Sequence, residues 1–315
     1  MNLSIIIPVY NSAKIIGRLV ETLEKELDSL YELEVILVND GSPDKASAEV
    51  CENLAQSNSK VKFLDLSRNF GEHSAVMAGL NYCQGEVAVI IDDDFQNPPS
   101  EIIKLVDKIH EGYDVVYTYY KNKKHSFLRN LGSQFNNMVA SILLDKPFNL
   151  YLSSFKAINR FVIDEVIKYR GPHPYIDGLI LRITRRYGRV LVEHRSSEKD
   201  KSGYTFRKLI SLWMNMFTNF SILPLRIATF VGFLFSFLGL LGAVIFFIEK
   251  LQDPNLPVGW ASLIISLLVI SGIQLFALGM VGEYLGRLFL KDSGKPQFVI
   301  RKAVNCERDN HEDNN

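Results

Sequence analysis

The first 120 residues alternate between short apolar runs and amphipathic stretches. The runs at 3–9, 34–39, 61–66, 86–92 and 114–120 are rich in Val, Ile, Leu or Tyr and predict strands. Between them, 13–30, 44–56, 73–82 and 100–110 carry apolar residues at helical spacing. Continuous apolar strands alternating with helices predict an α/β fold with a mainly parallel sheet covered on both faces. Sheets of that kind bind ligands beyond the carboxyl ends of their strands. The middle of the chain is more mixed. It opens with a basic cluster (Lys121, Lys123, Lys124, His125, Arg129) and has helical stretches near 129–144, 160–169 and 176–187. A polar stretch at 195–203 reads as a loop.

The last third changes character. Residues 227–248 and 260–281 are uncharged apolar runs, each of about the ~20 residues that a bilayer-spanning helix requires. The link between them holds Pro254 and Pro257 and predicts a hairpin. Arg207, Lys208 and Arg226 precede it and Arg287, Lys291, Lys295, Arg301 and Lys302 follow, while the link offers only Lys250. The positive-inside rule then predicts a multi-pass protein with both termini cytoplasmic. Just upstream, Phe206, Leu209, Ile210, Trp213, Phe217 and Phe220 share one helical face opposite Arg207, Lys208, Ser211 and Asn215. That pattern predicts a helix lying in the membrane interface, in contact with the lipid bilayer. The chain therefore reads as a catalytic domain (1–205), an interfacial helix (206–225), a transmembrane hairpin (226–290) and a polar tail (291–315) expected to be disordered.

Composition narrows the function classes. Of 315 residues, 47% are hydrophobic and 22% charged, which excludes wholesale disorder. The 35 Lys and Arg balance the 35 Asp and Glu, so no basic excess argues for a nucleic-acid partner. Cys51, Cys83 and Cys306 have no CxxC spacing and read as reduced thiols facing the cytosol rather than a disulfide or zinc framework. The apolar run at 3–7 stops at Pro8 and is too short for a signal peptide.

Candidate chemistry lies at strand ends. Ile90-Ile91 runs into Asp92-Asp93-Asp94. Successive side chains of an extended segment alternate in direction, so Asp92 and Asp94 can share a side while Asp93 points away. Crowded carboxylates repel, and a hard divalent cation relieves them while taking its remaining ligands from phosphates and water. Asn39-Asp40-Gly41-Ser42 is a second acidic turn, and Pro8-Val9-Tyr10-Asn11 closes the first strand. No G-x-G-x-x-G follows that strand and no G-x-x-x-x-G-K-[ST] occurs, which disfavours dinucleotide oxidoreductases and P-loop NTPases.

Taken with Ser67-Arg68-Asn69-Phe70-Gly71 and the run Asp92 to Pro99, these motifs resemble family 2 glycosyltransferases of the GT-A fold. More narrowly the chain resembles the polyprenyl-phosphate glycosyltransferases: dolichol-phosphate mannose synthases, bactoprenol glucosyltransferases and especially undecaprenyl-phosphate formamido-arabinose transferases. Residues 68–79 and 282–287 carry that narrower resemblance. It implies a GT-A catalytic domain, a nucleotide-sugar donor, a Mg²⁺ or Mn²⁺ ion and an undecaprenyl phosphate acceptor at the cytoplasmic face of a bacterial inner membrane. Pro8, Tyr10, Asn11, Asp40 and Gly71 would hold the nucleotide, Asp92 would sit where nucleotide meets metal, and Asp94 would ligate the metal. The resemblance leaves the oligomeric state open, a homo-oligomer included.

The sequence also departs from that pattern. Many relatives carry Gly-Asp-Phe-Arg where this chain has Ser153-Ser154-Phe155-Lys156, so Ser154 replaces a carboxylate often cast as base. Asp93 stands where an Ala is usual, and the loop lysine shifts to Lys201. A phosphate monoester, with a second pKa near ~6, is mostly a dianion at neutral pH and has no proton to surrender. Such an acceptor needs cations and positioning rather than a base. Lys156 and Arg129 are expected to act in catalysis, and Arg195, Lys201 and Arg207 to hold the acceptor. Asp177 either supplies the missing carboxylate or caps a helix, and His73 and His194 read as structural. Two other readings stay open: a polysaccharide-polymerising synthase, although no Gln-x-x-Arg-Trp motif is present, and a catalytically inactive, membrane-anchored nucleotide-binding protein.

Overall fold

The computed structural model describes residues 2–120, 150–193, 223–252, 259–292, 294 and 296–306. The expected helix at 129–144, the loop at 195–203 and the interfacial helix lie outside the described residues, as do Arg129, His194, Arg195, Lys201 and Arg207. Two compact units emerge. Met1–Gly203 and Gly294–Asn315 form the first, and Tyr204–Ser293 the second.

The first unit is built on an eight-stranded sheet. Its strands are β1 (Asn2–Val9), β2 (Glu32–Asn39), β3 (Val61–Leu66), β4 (Val87–Ile90), β5 (Val115–Tyr119), β6 (Lys156–Asn159), β7 (Tyr187–Leu191) and β8 (Ile300–Val304). They lie in the order β7-β5-β6-β4-β1-β2-β3-β8. The helices are α1 (Ile16–Leu27), α2 (Lys45–Ser57), α3 (Glu72–Tyr82), α4 (Ile102–His110), α5 (Arg160–Val166) and α6 (Ile176–Ile183). β1 pairs in parallel with both β2 and β4, and β2 with β3.

The strand alternation explains why both sheet faces are dry. Leu3, Ile5, Ile7 and Val9 of β1 share one core with Ile16, Leu19, Leu23 and Leu27 of α1 and Leu105 and Ile109 of α4. Ile6 and Val38 point to the opposite face, against α3, where a Cβ at Gly79 would lie 2.5 Å from Ile6 Cγ2. Glycine there lets α3 sit close on the sheet. Each fully buried Leu or Ile contributes about 1.5–3 kcal/mol relative to exposure.

This order fixes the site. The chain winds β1, β2, β3 outward in one direction and then returns to place β4 on the other side of β1. Ligands of such sheets bind at that reversal, outside the carboxyl ends. The turns after β1, β2 and β4 are therefore brought to one rim.

Three elements differ from the sequence expectation. The helix expected over 176–187 ends at Ile183, and Tyr187 instead opens β7, which pairs in parallel with β5. β6 was not expected; it inserts antiparallel between β4 and β5. The tail is ordered over Ile300–Val304, where β8 pairs antiparallel with β3 and covers what would otherwise be a bare edge. The polar composition of 291–315 obscured this, because an edge strand can be polar on its solvent side: Arg301, Lys302 and Ala303 are exposed.

The second unit contains α7 (Leu223–Gln252, 30 residues) and α8 (Trp260–Asp292, 33 residues), both longer than the apolar runs within them. Large apolar side chains stand exposed on both, among them Phe233 at 73% and Leu275 at 69%. Among the described residues, Val269–Gly286 is the stretch long and apolar enough to cross a membrane.

β8 is pinned at its end by Asn305. That residue has a left-handed φ of 57°, and its amide donates to the carbonyls of Ala55, Asn58 and Val61. Asn tolerates this backbone better than Ala and supplies the donors. Asn305→Ala should cost about 1–2 kcal/mol, read as a lower thermal midpoint of the detergent-solubilised protein.

Candidate active site

The acid triplet lies beyond the end of β4, with Asp93 and Asp94 in the turn that follows, and its members split in their surroundings. Asp93 is buried and turned under β1: its Oδ2 accepts the Tyr10 amide at 3.0 Å and the Ser12 hydroxyl. Asp92 and Asp94 are half-buried. Asp94 Oδ1 accepts the Gln96 amide at 3.0 Å, an Asx turn that holds the carboxylate at the rim. Burial pushes the Asp92 carboxyl above its ordinary range, opposed by a hydrogen bond from Ser154 and reinforced by the charges of Asp94 and Asp93.

Ser154 owes its place to β6. In the β4–β6 ladder Ile90 faces Lys156, and continuing that antiparallel register sets Ser154 against Asp92. The Ser154 hydroxyl donates to Asp92 Oδ2 at 2.6 Å. The residue standing where many relatives carry a carboxylate thus satisfies the first acid of the triplet.

Lys156 is not a solvated cation. It is 3% exposed and paired with Asp177, which is itself buried and also accepts the Tyr117 hydroxyl at 3.1 Å. The Lys156 ammonium also sits 5.5 Å from the centre of the Tyr117 ring. Asp177 caps no helix, since the residue preceding α6 is Tyr175 and makes no side-chain cap; it neutralises Lys156. His73 packs edge-on against Tyr175 with ring centres 5.0 Å apart, and burial pushes its imidazole down to about 4. It is neutral at physiological pH, in keeping with a structural role.

The second acidic turn has a distinct architecture. Asp40 is 4% exposed, and its two carboxylate oxygens accept the amides of Phe70 at 2.7 Å and Gly71 at 2.9 Å. Burial nevertheless holds its carboxyl above the usual range. Gly41 follows with φ 58°, and a Cβ there would come within 2.3 Å of the Arg68 carbonyl carbon. Only glycine fits, and the turn after β2 packs directly on the loop 67–71. Asn39 completes the scaffold by donating to Asp65 at 2.7 Å and accepting the Ser42 hydroxyl at 2.6 Å. Asn11, at φ 55°, accepts from the Asp44 amide, while its own amide donates to Ser42. Tyr10 is 44% exposed at the rim, and Pro8 and Gly71 are half-buried beside it.

Sequence reasoning passed over Glu72. It opens α3 on the surface of the cleft, and the surrounding protein together with the charge of Asp92 pushes its carboxyl up to about 7, against the pull of Lys156. The acid at the first turn of a helix after Gly71 was the available signal. The rim therefore holds Asp92 and Asp94 at the turn after β4, with Glu72 near enough to Asp92 for their charges to interact. Among the described residues no group of three His, Cys, Asp or Glu side chains is placed to enclose a metal. That donor set fits a Mg²⁺ or Mn²⁺ ion that takes one or two carboxylates from the protein and the rest from phosphate and water.

Comparison with known proteins shows the family to which this fold belongs. The glycosyl transferase family 2 profile matches residues 4–168, spanning the sheet from β1 through β6. The chain is a family 2 glycosyltransferase. A GtrB C-terminal hairpin profile matches residues 223–288 of the glycosyltransferase, covering α7 and most of α8. It is 33% identical to the uncharacterized glycosyltransferase YkcC of Bacillus subtilis over 98% of this chain and 97% of the other. It is 34% identical to undecaprenyl-phosphate 4-deoxy-4-formamido-L-arabinose transferase of Proteus mirabilis over 98% of this chain and 95% of that one. Its fold is shared with glucosyl-3-phosphoglycerate synthase from Mycobacterium tuberculosis, solved with Mn²⁺ and UDP-glucose: the TM-score is 0.50 at 18% identity, covering 68% of this chain and 78% of that one.

Two outcomes follow for the glycosyltransferase. Lys156→Ala strands Asp177 in the interior, and unpairing a buried charge costs about 3–5 kcal/mol; a Lys156→Met, Asp177→Leu double variant should recover much of the lost thermal stability. Glu72 has a folded-state value near 7 against an ordinary 4.5. Its contribution to stability is complete below about 4.5 and is lost as pH rises through about 7. Glu72→Gln should flatten the fall in thermal midpoint over that interval, measured on the protein free of nucleotide and cation.

Proposed function

We propose that the protein transfers a sugar from a nucleotide diphosphate to undecaprenyl phosphate at the cytoplasmic face of a bacterial inner membrane. The observation that carries this reading is the acidic rim at the β1/β4 reversal, on a chain whose second unit is a pair of long helices with exposed apolar side chains. The names of the similar arabinose transferases point to the same acceptor.

In this reading the nucleotide lies over the turns after β1 and β2. Tyr10 offers an aromatic face, with Pro8 and Asn11 shaping the turn beneath it. Asp40 fixes the loop through Phe70 and Gly71, and each of its oxygens keeps a second lone pair for the base or ribose. Asp94 and Asp92 would hold Mg²⁺ or Mn²⁺ against the donor's diphosphate. Once bound, that ion neutralises the departing diphosphate.

The acceptor side has no carboxylate at Ser154, and a phosphate dianion needs none. One of its oxygens bonds to the anomeric carbon on the face opposite the diphosphate, the carbon–oxygen bond to the diphosphate breaks, and the configuration inverts. Ser154 holds Asp92 in place and favours its ionised form by donating to it. Lys156 acts from behind that wall, setting the position of β6 through its pair with Asp177 rather than touching the acceptor. Arg129, Arg195, Lys201 and Arg207 supply the cations that offset two anionic reactants, and the hairpin spans the bilayer that carries the lipid acceptor.

The test incubates membranes containing the protein with undecaprenyl phosphate and a panel of labelled nucleotide sugars, with and without EDTA. A lipid-extractable product bearing one sugar, lost with EDTA and in Asp94→Ala, is the expected result. Asp94→Ala should keep its thermal midpoint while losing at least about a hundredfold in rate, the scale of losing a principal electrostatic stabiliser. A polymeric product, nucleotide binding without transfer, or chelator-insensitive activity would each overturn the reading.

A further inference from the structure

The loop 67–71 holds the amides that Asp40 accepts, so its conformation decides whether the rim after β2 is formed. Its far end is held by residues from the other side of the hairpin. The Ser67 amide donates to the Val299 carbonyl at 2.8 Å, and Arg301 Nη2 donates to the Ser67 carbonyl at 2.6 Å. The ladder explains why this residue reaches. Asp65 faces Lys302 and Leu66 faces Ile300, so Arg301 is the extra residue of a bulge between β3 and β8. Bulges redirect a side chain out of the strand alternation. Here the redirected guanidinium closes over the first peptide of the loop, and Lys302 and Asn305 tie the rest of β8 to α2 and the α2–β3 turn.

We propose that Arg301 is a positioning residue for donor binding, clamping the start of the loop 67–71 so that Phe70 and Gly71 meet Asp40 before the nucleotide arrives. The inference rests on the reading above that this rim takes the donor nucleotide. A loop held at both ends is present in its binding-competent form most of the time. Releasing one end lowers that fraction, and the apparent affinity falls in proportion. Once donor is bound the loop is restored, so the chemical step is unaffected.

The experiment uses the full-length protein in detergent or nanodiscs, with Arg301→Ala, Arg301→Lys and, as the variant that loosens β8 from α2 without touching the loop, Lys302→Ala. Arg301→Ala should raise the donor KM about three- to tenfold, the size of one charge-assisted hydrogen bond at an exposed site. The kcat and the acceptor KM should stay unchanged, because only uniform donor binding is lost. Arg301→Lys should restore most of the donor KM, and Lys302→Ala should leave it where it was. Amide exchange at residues 67–71, read without donor, should quicken in Arg301→Ala alone. Unchanged exchange in that variant overturns the clamp whatever the substrate proves to be. Faster exchange with an unchanged donor KM overturns the link to binding, and Asp40→Asn binding normally would place the failure in the nucleotide reading itself. A drop in kcat equal to the rise in KM, or a matching effect in Lys302→Ala, assigns Arg301 to general stability and also overturns the proposal.

Discussion

Carboxylates crowded at the reversal of the sheet set the terms for everything around them. Winding β4 to the far side of β1 brings Asp92, Asp93 and Asp94 beside the turn after β1, while α3 adds Glu72 from the opposite face. Left alone, that much negative charge in a partly buried cleft would protonate its members or push them apart. The fold answers each acid differently. Asp93 is absorbed by the Tyr10 amide and the Ser12 hydroxyl, Asp92 by Ser154, and Asp94 by the amide of its own turn. Lys156 opposes the field from behind, held there by Asp177. In the reading proposed above, Asp92 and Asp94 would hold a divalent cation and the phosphates it brings.

Two departures from the pattern of related glycosyltransferases make sense together in that light. Asp93 adds a carboxylate where alanine is usual, and Ser154 removes one. A carboxylate at 154 would stand directly opposite Asp92 in the β4–β6 register, and two acids at hydrogen-bonding distance share a proton rather than both ionise. A hydroxyl donates instead, which favours the ionised form of Asp92 against the burial that raises its carboxyl. The added acid at 93 does not undo this, because its partners lie in the turn after β1 and not in the cleft.

The strand–helix alternation of the first 110 residues was readable because each element has one dominant period. β3 runs from Val61 to Leu66 as the apolar run implied, and α1 buries Ile16, Leu19, Leu23 and Leu27 at helical spacing. The positions of Asp40, Asp92 and Asp94 were legible for the same reason: they are acids in the turns that follow unmistakable strands. β6 and β7 were not, since strands of four and five residues are too short to show a period and their pairing is decided by partners distant in sequence. The burial of Lys156 was hidden for a related reason: nothing beside it in the sequence shows the approach of Asp177 from α6 that neutralises it. Glu72 belongs to the same class, because its environment is made by Asp92 and Lys156 from other strands.

β8 changes how the hairpin is to be understood. A catalytic domain that ended before the hairpin would leave β3 as an edge strand, with Phe63, Leu64 and Leu66, all fully or nearly buried here, beside an unpaired backbone. The chain instead leaves the first unit after Gly203 and comes back at Gly294 to finish the same sheet. The apolar helices are therefore an insertion between the seventh and eighth strands of one sheet, not an anchor appended to a completed domain. Since Val299 and Arg301 hold the first peptide of the loop on which Asp40 depends, the last strand laid down also completes the rim. A sheet that closes only after the hairpin has been made links the finishing of the catalytic unit to the presence of that hairpin.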